Sequence, residues 1–101
     1  MDMQQMLRSM QKMQTQVKKT QESLQSQTFS AEAGGGAVKI TLDGNGTATE
    51  LKISKSAVDP EDVEALEDLL MAAFNEAVNK KENAYQESMG AITKGLKIPG
   101  F

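Results

Sequence analysis

One acidic, strongly helical segment decides how the rest of this chain folds: Asp59–Lys81, with the sequence DPEDVEALEDLLMAAFNEAVNKK. Asp59 is a residue type favoured as a helix N-cap, and Pro60 is favoured at the first helical position. Apolar residues then recur at helical spacing and form a wide apolar stripe: Val63, Leu66, Leu69, Leu70, Ala73, Phe74, Ala77 and Val78. We therefore predict that this segment is the central helix of the core.

The helix is predicted to continue beyond Lys81, and Gly90 or Gly95 is suited to end it. Apolar residues are sparse in this continuation, so a bend or break near residues 80–90 is an open alternative. Residues 95–101 are apolar but contain Gly and Pro. They are interpreted either as a frayed end or as a strap on a groove.

Length and composition limit the class of protein. With 101 residues the chain is predicted to be one domain, 1–101. It contains no Cys, His or Trp, which excludes disulfides and Cys-based zinc sites and removes the commonest general base. No segment resembles a membrane span or a signal peptide. We expect a cytoplasmic protein with no membrane partner, small-molecule substrate, cofactor or metal.

The net charge of −3 argues against a nucleic-acid binder until its distribution is considered. Residues 1–27 and 77–101 each carry a net charge of +2, and residues 28–58 are neutral. Residues 59–76 carry seven acids and no base. The ends of the chain are therefore basic, and the central helix holds the negative charge.

The N-terminal segment, residues 1–27, is predicted to form a long helix with one apolar seam. Its mostly apolar residues follow a heptad pattern: Met3, Met6, Met10, Met13, Val17, Thr20 and Leu24. The basic residues lie away from this seam on the helical wheel: Arg8, Lys12, Lys18 and Lys19. The back of the helix is interpreted either as a solvated face or as a surface whose Lys, Arg and Gln donors contact phosphates.

Residues 28–58 are predicted to form a three-stranded antiparallel meander with one wet face, because apolar residues alternate with polar ones. The turn Asp43–Gly46 contains both Asp-Gly and Asn-Gly, which are strong hairpin signals. Gly34–Gly36 lead into a strand and not into a helix. We interpret them as a bulge or a close backbone approach, and not as a phosphate-binding loop.

A comparison of lengths predicts a homodimer. Strands of about six residues span roughly 20 Å, whereas a helix over residues 3–25 spans roughly 35 Å. The seam of this helix therefore extends beyond the sheet, and a second copy of the chain is the economical way to cover it. The core and dimer centre are predicted to contain Val38, Ile40, Leu51, Ile53, Leu66, Leu70 and Phe74.

Four segments together resemble the YbaB/EbfC family of bacterial nucleoid-associated proteins. They are MQQMLRSMQKMQ from Met3, AGGGAVKITLDGNG from Ala33, VDPEDVEALEDLLMAAFNEAVNKK from Val58 and MGAITKGLKIPGF from Met89. The resemblance implies an α/β (α+β) domain in which a long N-terminal helix precedes a three-stranded antiparallel sheet and a long C-terminal helix follows it. Two such domains would assemble into an intertwined, tweezer-like homodimer. The parts of each domain would be a basic helical arm (1–27), a β-meander (28–58), an acidic core and dimer helix (59–79), and a second arm with a tail (80–101).

The resemblance also implies binding to double-stranded DNA with little sequence preference, in the nucleoid. It implies an influence on nucleoid organisation, transcription or repair, and replication or recombination proteins as further partners. The family's DNA contacts are attributed to the arms. Carried over by position, the candidate DNA-binding residues are Arg8, Lys12, Lys18, Lys19, Lys80 and Lys81. Each arm has a net charge of only +2, which is modest for a DNA-binding surface.

The sequence is also compatible with two other classes of function. The Met-rich seam and the acidic body also fit a protein-interaction or chaperone-like adaptor with no direct role on DNA. Glu64 and Asp68 are spaced to ligate a metal together, but acids near a helix N-terminus more often complement the helix dipole. Without His or Cys no nucleophile–base pair is recognisable. We therefore expect no enzymatic activity, and DNA binding is the leading hypothesis.

Overall fold

The computed structural model describes residues 2–95 of the chain, with side chains described as far as Ile92. Two helices flank one sheet in the order α1 (Met3–Gln25), β1 (Thr28–Ala33), β2 (Val38–Asp43), β3 (Ala48–Ile53), a 3-10 turn (Lys55–Ala57) and α2 (Val63–Gly95). The strands are antiparallel and lie in the order β1-β2-β3. The molecule is elongated, with principal extents of 70, 25 and 16 Å. The predicted fold class is confirmed.

The first helix begins at a capping box. The Asp2 carboxylate accepts a hydrogen bond of 2.8 Å from the Gln5 backbone N–H, and the Gln5 side chain accepts one of 3.4 Å from the Asp2 N–H. At the other end, the Ser26 N–H donates to the carbonyl of Glu22 at 3.3 Å. Two residues, Ser26 and Gln27, separate α1 from β1, so the end of α1 is held close to the sheet.

The triple glycine forms the turn between β1 and β2. Its φ angles of 65°, 67° and 93° lie in the left-handed region, which glycine enters without a Cβ penalty. The bulge predicted at these glycines is wrong, because the one register shift of the sheet lies between Thr41 and Leu42, opposite β3. At Gly34 the turn lies close to a side chain of α2, since an added Cβ would be 3.0 Å from the Leu69 side chain.

The predicted hairpin at Asp43–Gly46 is confirmed. The Asp43 carboxylate accepts hydrogen bonds of 2.9 Å from the backbone N–H groups of Asn45 and Thr47. The Gly46 N–H donates to the Asp43 carbonyl at 3.0 Å, and Gly46 has a φ of 87°. The Asp side chain therefore organises the whole turn that joins β2 to β3.

The start of α2 differs from the prediction. Residues 59–62 form a turn, in which the Asp59 carboxylate accepts from the Glu61 N–H at 2.9 Å. The cap is Asp62, whose carboxylate accepts from the Ala65 N–H at 3.3 Å, and the helix begins at Val63. Asp59 and Asp62 are equally good cap residues. Because residues 59–62 form a β-turn, the helix begins three residues later than predicted.

The predicted alternative of a break near residues 80–90 is wrong. The second helix is continuous over 33 residues, Val63–Gly95. Lys, Glu, Ala and Gln dominate this stretch and favour a helix in the absence of a strong apolar stripe. Gly90 lies inside the helix and Gly95 is its last described residue. The interpretations of the tail concern residues that fall almost entirely outside those described.

The core lies between the first half of α2 and two of the three strands. Its buried members come from both layers: Ala31, Val38, Ile40, Leu42, Ala73 and Ala77. Leu66 and Leu70 are half-buried against this cluster. Because α2 packs over β1 and β2, every residue of β3 is exposed. Of the predicted core and dimer residues, Leu51, Ile53 and Phe74 are therefore exposed in the single chain.

Candidate nucleic-acid interface

The first helix lies antiparallel against the second half of α2. The C-terminal half of the predicted seam makes this contact: Leu24 is buried, and Met13, Val17 and Thr20 are half-buried. A groove of about 510 Å³ runs between the helices, lined by Lys12, Met13, Gln16, Thr20, Ser88, Ala91 and Ile92. The N-terminal half of the seam is uncovered, since Met3, Met6 and Met10 expose 78%, 53% and 55% of their surface.

The four candidate cations of α1 lie away from the seam, although one of them, Lys12, also lines the groove towards α2. Arg8, Lys12, Lys18 and Lys19 are all exposed. At 100° per residue, Arg8, Lys12 and Lys19 fall within an arc of about 40° on the helical wheel, and Lys18 lies about 80° from the nearest of them. With a rise of 1.5 Å per residue, the row from Arg8 to Lys19 is roughly 16 Å long. One helix face thus presents a row of cations to the solvent.

The lysines on the polar face of the sheet are placed differently, because each has a carboxylate partner. Lys39 pairs with Glu32 at 3.9 Å, and Lys52 pairs with Glu50 at 3.4 Å. Among the side chains described, those of residues 2–92, these two are the ion pairs that form, and neither involves a cation of α1. Where side chains are described, the cations of α1 are therefore not held in ion pairs.

The two candidate cations of α2 are docked on the body of the protein and do not extend from a separate arm. Lys80 donates a hydrogen bond of 2.7 Å to the backbone carbonyl of Ser30 in the edge strand β1. The Lys81 ammonium lies 5.8 Å from the centroid of the Tyr85 ring, within the range of a cation–π contact, and Lys81 is half-buried. The six predicted residues thus divide into four cations of α1 with no ion pair among the described side chains and two cations of α2 with contacts in the fold.

The acids lie at the opposite end of the long axis. The seven carboxylates of residues 59–76 are all exposed and belong to the start of α2 and the turn before it. The first helix packs on the second half of α2, around Ser88 and Ile92. The rise along the helix to Ser88 is roughly 37 Å from Val63 and roughly 18 Å from Glu76, the last of the seven acids, so the acids are about two or more Debye lengths away at physiological salt. The charge segregation along the sequence is therefore also a segregation in space.

Sequence reasoning missed the contacts that join the two helices to the sheet. The Tyr85 hydroxyl donates a hydrogen bond of 2.8 Å to the carbonyl of Gly44 in the β2–β3 turn. Gly44 is buried, and a Cβ there would overlap the backbone of Leu24 and Gln25 at the end of α1. The available signal was Tyr85 itself, the one Tyr of the chain, on a helix face that is otherwise sparsely apolar.

Two other kinds of site find no support among the residues the structure describes. Within them, no group of three or more acids is arranged to hold a metal ion, although Glu64 and Asp68 share a helix face. No described helix is long and apolar enough to cross a membrane.

Comparison with known proteins shows a family relationship over almost the whole chain. Residues 1–96 match the profile of the YbaB/EbfC DNA-binding family. A nucleoid-associated protein of Moorella thermoacetica is 46% identical over 100 residues, which cover 99% of this chain and 96% of that protein. One from Pelotomaculum thermopropionicum is 42% identical over 99% of this chain and 95% of its own length.

The fold is similar to a solved structure as well. The crystal structure of the uncharacterized protein HP0035 from Helicobacter pylori superposes with a TM-score of 0.78 at 25% identity. The match covers 92% of this chain and 98% of that one.

Proposed function

Because this chain belongs to the YbaB/EbfC DNA-binding family, we propose that it is a homodimeric, nucleoid-associated protein that binds duplex DNA through the cations of α1. The observation that carries the proposal is the contrast between two sets of lysines. Those of the sheet are paired with glutamates, whereas Arg8, Lys12, Lys18 and Lys19 are exposed and have no ion pair among the described residues. Unpaired cations in a row are available for phosphates.

The composition of this surface supports binding with little sequence preference. Lys contacts phosphate as a point charge, whereas base readout in the major groove relies largely on bidentate Arg. The chain contains a single Arg on this face, Arg8, and no Trp, and its one Tyr is engaged with the β2–β3 turn. Stacking on bases and hydrogen bonding to base edges therefore have few available side chains.

An uncovered part of the sheet supports the homodimer. Ile53 lies directly opposite Val38, and Leu51 lies opposite Ile40, so both point to the face on which the core is built. Five large apolar side chains of β3 and of the first half of α2 expose 37–56% of their surface: Leu51, Ile53, Val63, Met71 and Phe74. If the α2 helix of a second copy packed on β3, the exposed apolar residues of β3 and those of α2 would be buried together.

Dimerisation doubles the number of cations and sets the expected salt dependence. Two chains present eight basic residues on their α1 helices. If about six of them contact phosphates together, log K falls against log salt with a slope of about −5. Binding measured between low and moderate salt is thus expected to fall by several orders of magnitude.

The test compares two double variants that remove the same charge from different places. Lys18→Gln/Lys19→Gln is expected to weaken binding of a duplex at least tenfold and to reduce the salt slope by about 2 to 4, or one to two phosphates per chain. Lys39→Gln/Lys52→Gln, on the sheet, is the matched control and is expected to bind like the wild type. Equal losses in the two variants, or a wild-type affinity that does not respond to salt, would refute DNA binding by α1.

The exposed start of the seam favours a second candidate function. Met3, Met6, Leu7 and Met10 form an apolar strip on α1, and Met-rich strips suit adaptable protein contacts. An adaptor without a direct role on DNA would retain its partners after nuclease treatment of a pull-down, whereas partners bridged by DNA would be lost. Roles in transcription or repair, and contacts with replication or recombination proteins, are proposed on the family relationship alone.

A further inference from the structure

The turn between β2 and β3 is packed between the two helices. On one side, Gly44 is in such close contact with α1 that a Cβ would overlap the carbonyl oxygen of Leu24 and the Cα of Gln25. The φ of Gly44 is not in the left-handed region. Glycine is therefore required here by the available space, and the turn abuts the C-terminal end of α1.

On the other side, the same turn is bonded to α2. The Tyr85 hydroxyl donates to the Gly44 carbonyl at 2.8 Å, so one residue of the turn contacts both helices. Lys81 packs beside this bond: its ammonium lies 5.8 Å from the Tyr85 ring centroid and 3.3 Å from where a Cβ on Gly46 would lie. The turn, Tyr85 and Lys81 form a junction that we call the clasp.

The clasp is internally stiff. The Asp43 carboxylate holds the N–H groups of Asn45 and Thr47, each at 2.9 Å, and the Gly46 N–H closes on the Asp43 carbonyl at 3.0 Å. A movement of the turn relative to α2 therefore requires the Tyr85 bond to break, since the turn itself has little freedom to deform.

We propose that Tyr85 is a positioning residue for DNA binding, because it fixes the direction in which α1 and its row of cations point. The inference rests on the proposed function. Beyond the clasp, α1 is held by a groove contact that ends near Lys12 and Met13, and its first turns are uncovered. If α1 also shifts in this groove, a rotation of about 10° about the clasp moves its N-terminal tip, roughly 33 Å away, by about 6 Å.

Such a movement changes how many cations meet phosphates at the same time. Phosphates lie at fixed positions on a duplex, and a dimer has to match them with two α1 helices at once. Loosening the clasp does not remove any charge. It is expected to lower affinity and to make the salt dependence shallower, since fewer counterions are released together.

The experiment uses Tyr85→Phe in the full chain, which keeps the ring and its contact with Lys81 and removes the hydroxyl alone. Ser30→Ala is the matched control, because it removes a hydroxyl that hydrogen-bonds to Thr41 at 2.8 Å on the sheet, away from α1. The chain has no native Cys, so spin labels can be placed by Gln4→Cys and Asn79→Cys, both exposed positions. Dilution with unlabelled protein restricts pulsed electron paramagnetic resonance to the distance within one chain.

We expect Tyr85→Phe to broaden or shift this distance by several ångströms, to weaken duplex binding about threefold to tenfold, and to make the salt slope shallower by about 1. Ser30→Ala is expected to change none of these quantities. A Tyr85→Phe distance distribution identical to that of Ser30→Ala overturns the inference, and so does an altered distance with unchanged DNA affinity.

The failure of this inference is distinguishable from the failure of the proposed function. The distance is measured without DNA, and the wild type is titrated with DNA separately. A wild type that binds no duplex at any salt concentration overturns the proposed function and this role of Tyr85 together. A wild type that binds, with Tyr85→Phe unchanged, overturns only the inference. Gly44→Ala, which pushes on α1 from the other side of the clasp, is expected to alter the distance in the same assay.

Discussion

The ammonium group of Lys80 donates a hydrogen bond of 2.7 Å to the backbone carbonyl of Ser30, which ties the middle of α2 to the edge strand β1. This bond satisfies a carbonyl that has no neighbouring strand to pair with, and it places a charge on an edge that could otherwise pair with another chain. A residue expected to contact DNA therefore has a structural task within the fold.

Lys80→Met tests this task, because it keeps the aliphatic stem and removes the ammonium. We expect the free energy of unfolding to fall by about 0.5–1.5 kcal/mol, the usual net value of one hydrogen bond. Chemical denaturation measures the change. Lys12→Met, at an exposed position of α1 with no ion pair among the described residues, is the control and is expected to stay within about 0.5 kcal/mol of the wild type. Equal stability of the two variants would contradict the role of Lys80.

Gly44→Ala is expected to destabilise the protein strongly. Its Cβ would overlap backbone atoms of Leu24 and Gln25, and backbone yields less easily than the tip of a side chain, so we expect a loss of about 1–3 kcal/mol. Gly90→Ala is the matched control. Nothing lies within 4 Å of its Cβ position, and replacing Gly by Ala inside a helix stabilises by roughly 0.5–1 kcal/mol. The melting temperature should thus fall for Gly44→Ala and rise for Gly90→Ala. A change in the same direction for both variants would refute the steric argument.

The proposed dimer predicts the effect of a charge on β3. Leu51→Asp places a carboxylate on the uncovered core face, and sedimentation at micromolar concentration is expected to show a shift from dimer to monomer, because burying an unpaired charge is costly. Thr28→Asp places the same charge on the exposed polar face of β1 and is expected to leave the dimer intact. Sedimentation of the wild type as a monomer would refute the proposed dimer.

The cap of α2 is tested by two alanine variants of the same residue type. Asp62→Ala removes the acceptor of the Ala65 N–H and is expected to cost about 0.5–2 kcal/mol, as for other N-caps. Asp59→Ala removes a bond within the preceding turn and is expected to cost less. Denaturant midpoints measure the stability of the two variants. A larger loss of stability for Asp59→Ala would indicate that Asp59 is the cap, as the sequence suggested.

Local patterns in the sequence predicted the elements of this fold, because each element carries its own period. The heptad run from Met3 to Leu24 gives α1, the alternation after Thr28 gives the strands, and the turn residues at Asp43–Gly46 give the second hairpin. The start of α2 was placed incorrectly because Asp59 and Asp62 offer equal local signals. The choice between them depends on the geometry of the turn that Pro60 initiates.

The candidate site was only partly accessible to the same reasoning. The exposure of the cations on α1 follows from the heptad seam, since the opposite face of an amphipathic helix is solvated. The Lys80–Ser30 bond joins residues separated by fifty positions, and the Tyr85–Gly44 bond joins residues separated by forty-one. No periodicity encodes such contacts, because they arise only when α2 has been laid over the sheet.

The separation of acids from cations has a consequence for DNA that carries many copies of this protein. On the proposed function, each bound chain would add three net negative charges to the complex, so a coated duplex would become more highly charged and would repel other coated duplexes more strongly. Polyamines and basic proteins condense DNA by neutralising its charge, and a protein with a net negative charge does not act in this way. Compaction by this protein therefore requires one assembly to hold two stretches of DNA at once, and coverage without such bridging leaves the DNA extended and soluble.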